Sequence, residues 1–198
     1  MFLITAAILI VILILLKTGA NLPSIIQQKR ELEVKFEREF FIDIMDELVK
    51  VIEISYHQSN NITKNVFNFG NFTRKKMTER SMEFQFLYVG CITPKVGTTM
   101  NVTVVNLLDK VINATLQLNS STPANFSVMD RSSSWDINYT INQGSNYILT
   151  VGYNGTYQEN ITIQTQSGKS RYVGFFDVTF IGLEDTYKDK FQKSYTLP

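Results

Sequence analysis

Residues 2–16 read FLITAAILIVILILL, and residues 24–57 read SIIQQKRELEVKFEREFFIDIMDELVKVIEISYH without a glycine or proline. In the second stretch Ile25, Leu32, Phe36, Phe40, Ile44, Leu48 and Ile52 recur at spacings of four or seven, with Phe41, Met45 and Val49 beside them. That period predicts an amphipathic helix with a wide apolar stripe. Leu32, Val34 and Phe36 also alternate, but the length without a turn signal decides for helix. Glu31 precedes Lys35 by four residues, the favourable order on a helix face. Gly19 and Pro23 interrupt the two stretches, and Ser24 with Gln27 has the pattern of a capping box. The expectation is a helical segment over 1–57, kinked near Gly19–Pro23.

The first stretch has Thr5 as its only polar side chain. As a helix, Met1 to Leu16 spans roughly 24 Å, slightly short of the roughly 30 Å hydrocarbon core of a bilayer. Basic residues near an apolar span normally stay on the cytoplasmic side. Lys17, Lys29 and Arg30 all follow the run, so charge alone places the C-terminal side inside the cell.

The rest of the chain argues for the opposite orientation. Nine N-x-Ser/Thr sequons begin at Asn61, Asn71, Asn101, Asn113, Asn119, Asn125, Asn138, Asn154 and Asn160. Chance would give roughly three in a chain of this composition, and glycan acceptors belong on an extracellular surface. A short basic leader, cut on the N-terminal side of the apolar run, reconciles charge with sequons; an ordinary secretory signal would lose its apolar core.

Residues 58–82 are polar and locally basic (Lys64, Arg74, Lys75, Lys76 and Arg80) and read as a linker. Contact with the acidic 31–53 stretch of a neighbouring copy is the functional alternative for them. From Glu83 the period becomes two. Strands are expected at 83–89, 100–106, 114–118, 126–129, 137–141, 147–153, 160–166 and 172–182, with Asn154-Gly155 as a hairpin turn. Eight such strands suggest an antiparallel β-sandwich over 83–198, immunoglobulin-like at most, since Cys91 is the only cysteine. The tail 184–198 carries Tyr187, Phe191 and Tyr195 and either packs back or extends. The fold class is therefore α+β.

An apolar N-terminus followed by a long amphipathic segment and a β-rich domain resembles a type IV pilin. Thr5 occupies the place where bacterial members usually carry glutamate, so the archaeal subgroup is the more similar one. The resemblance implies a class III signal peptide removed before Met1. It also implies a homopolymeric cell-surface filament with a membrane-inserted precursor. Met1, Phe2, Leu3, Ile4, Ala6, Ala7, Ile8, Leu9, Ile10, Val11, Ile12, Leu13, Ile14, Leu15 and Leu16 would form the assembly core. Gly19 and Pro23 would form a hinge, and the glycosylated β-domains would be exposed for adhesion. The alternative is a monomeric membrane-anchored surface glycoprotein.

Other chemistry finds little support. A net charge of +1 gives no polyelectrolyte argument for nucleic acid. His57, the only histidine, cannot build a His-based metal cage or a catalytic triad, and it is expected at the helix end near carbonyls or solvent. Asp130 and Asp136 are not selected as a glycosidase pair by any feature, and Asp43, Asp46 and Glu47 read as a solvated helix face. Trp135 is expected in the core, with sugar stacking beside Tyr139 as the sharper reading. Cys91 is expected buried. No cofactor and no enzymatic activity are expected.

Overall fold

The structure is a computed structural model. It describes the backbone of residues 2–58, 61–119, 124–130, 132–153 and 157–196, and the side chains of these except 2–22, 25, 124–128 and 157. Among the described residues two helices, α1 (Phe2–His57) and α2 (Ile62–Thr78), precede nine strands. The strands are β1 (Glu83–Thr93), β2 (Thr99–Asn106), β3 (Ile112–Leu118), β4 (Ala124–Met129), β5 (Ser133–Thr140), β6 (Asn146–Tyr153), β7 (Tyr157–Gln164), β8 (Arg171–Ile181) and β9 (Thr186–Thr196). The chain is α+β, with an N-terminal helix followed by antiparallel sheets.

Two expectations need correction. α1 runs through Gly19–Pro23 without a break, and Pro23 lies inside it, so no second helix starts at Ser24. Pro23 still deletes the hydrogen bond that a donor there would make to the Gly19 carbonyl. The stretch read as a linker holds α2. Asn61 caps α2, its Oδ1 accepting from the Lys64 amide at 3.0 Å. At the other end Ser81 takes a left-handed conformation (φ 59°), and the Met82 amide donates to the Met77 carbonyl, closing α2 in Schellman fashion. The buried stripe of α2 is Ile62, Val66, Gly70, Thr73 and Met77.

The strands form a five-stranded sheet in the order β5-β2-β1-β8-β9 and a four-stranded sheet in the order β4-β3-β6-β7. One apolar cluster joins the sheets: Leu87, Val89, Cys91, Val102, Val104, Val173 and Phe175 from the first meet Leu116, Leu149, Val151, Ile161 and Ile163 from the second. The other face of the five-stranded sheet carries Phe84, Phe86, Tyr88, Tyr172, Phe176, Val178 and Phe180. These pack against Phe41, Ile44, Leu48, Ile52 and Tyr56 of α1 and Ile62, Val66 and Met77 of α2. The central strands are thus covered on both faces, which is why Phe84 to Cys91 and Tyr172 to Phe180 contain near-continuous buried runs instead of strict alternation.

Two glycines make this double burial possible. Gly90 and Gly174 face each other across β1 and β8. A Cβ on Gly90 would sit 1.9 Å from the Tyr88 hydroxyl, and one on Gly174 would sit 2.2 Å from that of Tyr172. The two phenols meet at 3.1 Å in the space the missing side chains leave.

Candidate assembly and glycan-bearing surfaces

α1 meets the sheets through a stripe and one anchor. Phe41, Ile44, Leu48, Ile52 and Tyr56, at spacings of three and four, are all buried. One turn before them, Glu37 is only 2% exposed. Its carboxylate accepts backbone N–H groups from the β8–β9 turn: Leu183 at 2.7 Å, Glu184 at 3.2 Å and Asp185 at 3.3 Å. Successive amides converging on one anion form a nest, and charge-assisted bonds of this type are the strong ones. Gly182 completes the fit, because a Cβ there would lie 2.2 Å from Glu37 Oε2. Arg30 reinforces the turn through Glu184 at 2.9 Å.

β9 fastens the same helix along its length. The Tyr187 hydroxyl donates to the Val34 carbonyl at 2.8 Å, and the Tyr195 hydroxyl donates to Glu53 Oε1 at 3.1 Å. Phe191 stacks on Phe176 with ring centroids 4.7 Å apart. The tail therefore packs back, its aromatic face against α1. Partial burial and the Glu53 carboxylate push the Tyr195 phenol up to about 12.

Pro23, Ser24 and residues 26–32 are exposed, including Ile26 at 60% and Leu32 at 68%. Phe36, also exposed, stacks on Phe40. Between the outer faces of α1 and α2 runs an apolar groove of about 330 Å³ lined by Phe40, Ile44, Phe69, Phe72 and Met77. The Arg80 guanidinium lies over the Phe40 ring at 5.3 Å. Asp43 and Glu47 line the same groove as Lys76 and Arg80, and Glu47 also accepts from Lys50 at 2.9 Å.

Five sequon asparagines, Asn61, Asn113, Asn119, Asn138 and Asn160, are exposed. Asn71, midway along α2, and Asn101, on β2, are half-buried, and Thr73 and Thr103 of their sequons are buried. Asn125 and Asn154 lie outside the residues whose side chains are described. Ile161, next to Asn160, is fully buried, and Tyr139, next to Asn138, packs on the inter-sheet core, so those asparagines sit on the outward phase of their strands. Asn61 and Asn101 both line a cleft of about 570 Å³ between the start of α2 and strands β2 and β5, together with Lys64, Phe67, Ser134 and Asp136.

The assembly-core residues Met1 to Leu16 lie outside the described side chains, although the α1 backbone is helical from Phe2. Among the described residues no helix is long and apolar enough to cross a membrane, and no group of three or more His, Cys, Asp or Glu is placed to hold a metal. His57 ends α1 edge-on to the Tyr56 ring. Cys91 is buried, as expected, and burial pushes its thiol up, away from reactivity. Trp135 corrects the core reading: it is 42% exposed on β5, the edge of its sheet.

Sequence reasoning missed two structural polar groups. Glu37 looked like one of several helix carboxylates; its only signal was a place on the apolar stripe's own face, four residues before Phe41. Asn106 is fully buried, its Nδ2 donating to the carbonyls of Lys110, Met129 and Asp130 and its Oδ1 accepting from the Leu108 amide, which ties the β2–β3 connection to the end of β4. No family model, curated protein or solved structure matches this chain.

Proposed function

We propose that this chain is a structural subunit of an extracellular cell-surface filament, most similar in organisation to the archaeal type IV pilins, serving adhesion or surface contact. The observation that carries the reading is the path of α1. One continuous helix begins in the apolar run, and among the described side chains its contacts with the sheets begin at Arg30, with Pro23, Ser24 and residues 26–32 exposed. A helix held stiffly at one end and apolar at the other is suited to bundling with copies of itself, carrying the sheets outward as a coat. In this reading the stacked sheets are an immunoglobulin-like β-sandwich. Gly19 and Pro23 provide the hinge, and N-linked glycans supply the solubility that a sparsely charged surface lacks. The membrane holds the precursor before assembly, and neither nucleic acid nor a cofactor takes part.

Electron microscopy of material sheared from the source cells, with mass spectrometric identification of its subunits, tests this. Filaments containing this chain are expected. Recovery of the chain only as a detergent-soluble monomer in the membrane fraction would replace the proposal with the anchored-glycoprotein reading.

A further inference from the structure

The sequon asparagines differ in which end of the side-chain amide the fold already uses. Asn61 Oδ1 accepts from the Lys64 amide at 3.0 Å, forming the cap of α2. Asn119, in a left-handed conformation at the end of β3 (φ 51°), accepts at Oδ1 from the Ile148 amide at 2.8 Å. Asn160 accepts at Oδ1 from the Thr150 hydroxyl at 2.8 Å. Asn138 accepts at Oδ1 from Asn101 Nδ2 at 3.3 Å. All four side chains are exposed.

Asn101 is the exception. It sits directly opposite Asn138 in the β2–β5 register, so the two side chains share one face at neighbouring-strand distance. Asn101 is half-buried, and its bond to Asn138 is made by Nδ2, the atom a glycan would need. Its Oδ1 accepts from the Thr103 hydroxyl at 3.2 Å. That hydroxyl, the one a sequon presents for recognition, is on a residue only 1% exposed and also hydrogen-bonds Asp136. A sugar on Asn101 would have to enter the space between the two asparagines.

We propose that Asn61, Asn119, Asn138 and Asn160 carry N-linked glycans while Asn101 stays bare, its Nδ2 serving as a cross-strand donor. The glycans would therefore sit on asparagines whose Oδ1 holds the fold and whose Nδ2 makes no hydrogen bond among the described residues. This rests on the extracellular reading above. Each modification forms one bond from Nδ2 to the sugar C1 and breaks the C1–O bond of a lipid-phosphate-linked oligosaccharide. The lipid phosphate leaves, and one amide proton is lost to a base of the cellular oligosaccharyltransferase that catalyses the transfer; the lipid-linked oligosaccharide is the donor. The carbonyl Oδ1 is unchanged, so every fold contact at the four sites survives modification.

Site-resolved glycopeptide mass spectrometry of the full chain purified from its source, with electron-transfer fragmentation, tests the division. The expected result is glycan at Asn61, Asn119, Asn138 and Asn160 and an unmodified Asn101. Glycan on Asn101 in a substantial fraction of molecules, or an unmodified Asn138, would overturn the assignment while leaving the glycoprotein reading intact. A chain bare at every sequon would overturn both. Two variants provide an independent reading by intact mass: Asn138→Gln should lose the mass of one glycan, whereas Asn101→Gln should lose none. A glycan-sized loss in Asn101→Gln sinks the proposal whatever its effect on stability.

Discussion

Glu37 ties α1 to the β8–β9 turn through one buried side chain. A carboxylate buried to this extent is tolerated only because three backbone amides of the β8–β9 turn surround it. Glu37→Ala would leave those amides unpartnered, and a buried unsatisfied donor costs about 1–3 kcal/mol. The expected loss is about 3 kcal/mol in total, which for a chain of this size lowers the melting temperature by roughly 6–12 °C. Gly182→Ala should cost about as much by pushing the same carboxylate out of its nest. Combining the two substitutions should cost far less than their sum, because both break one contact; calorimetric melting of the three variants checks this. Beyond its place four residues before Phe41, nothing in the sequence marks Glu37 as an anchor, since the partner is a turn about 146 residues away whose identity is set by tertiary structure. The burial of Cys91 was legible because it follows Tyr88, Val89 and Gly90, although the expected strand stopped at Val89 and β1 runs on to Thr93.

Among the elements, the eight expected strands all form because their alternation and turn residues are local properties. α2 was hidden for a physical reason. Its buried stripe uses Gly70 and Thr73, which do not register as apolar, so the helical period is masked by residues chosen for close approach. A Cβ on Gly70 would lie 2.1 Å from the Phe86 ring and 2.3 Å from Leu107. Propensity alone favours Gly70→Ala by about 1 kcal/mol, whereas overpacking costs about 1–3 kcal/mol. The contacts are short enough for the second effect to win, so Gly70→Ala should lower the midpoint of denaturant unfolding; an increase would show that α2 can back away from the sheet. β9 was left open because Lys188, Asp189, Lys190 and Lys193 conceal its aromatic face. Tyr195 gives that strand a pH signature. Its folded-state pKa, about 12, exceeds the ordinary value of about 10. The protonated phenol thus contributes stability that is fully present below about pH 10 and is lost as pH rises toward 12. Tyr195→Phe should flatten the alkaline fall in stability in that window. The slope should not vanish, because Tyr56, Tyr88, Tyr172 and Tyr187 shift in the same direction. A fall identical to that of the parent chain would show that Tyr195 ionises freely.

At the scale of the whole molecule, the question is what covers the apolar run. Burying one Leu or Ile side chain is worth roughly 1.5–3 kcal/mol relative to water, and the run supplies ten of them. Lipid satisfies them as well as protein does, so apolarity alone does not choose between a filament core and an anchor. Shape does choose. Small residues let helices approach closely where no hydrophobic force separates helix from lipid, and Ala6 and Ala7 are the small pair within the run. The docking of α1 through Glu37, Tyr187 and Tyr195 then matters at long range. In the proposed filament, a helix held at one end would transmit the position of the sheets to a bundle, and Pro23, lacking a donor, is where that stiffness should yield. Ala6→Leu combined with Ala7→Leu keeps the segment apolar but crowds any helix–helix contact there. Expressed in the source cells, this pair should yield a chain that still partitions into membranes and melts like the parent, yet gives few or no filaments by electron microscopy. Ile10→Asp would also abolish filaments, but it introduces a carboxylate that disfavours lipid equally, so it cannot separate the two environments. Filaments of normal abundance from the double-leucine variant would show that Ala6 and Ala7 do not mediate close helix packing.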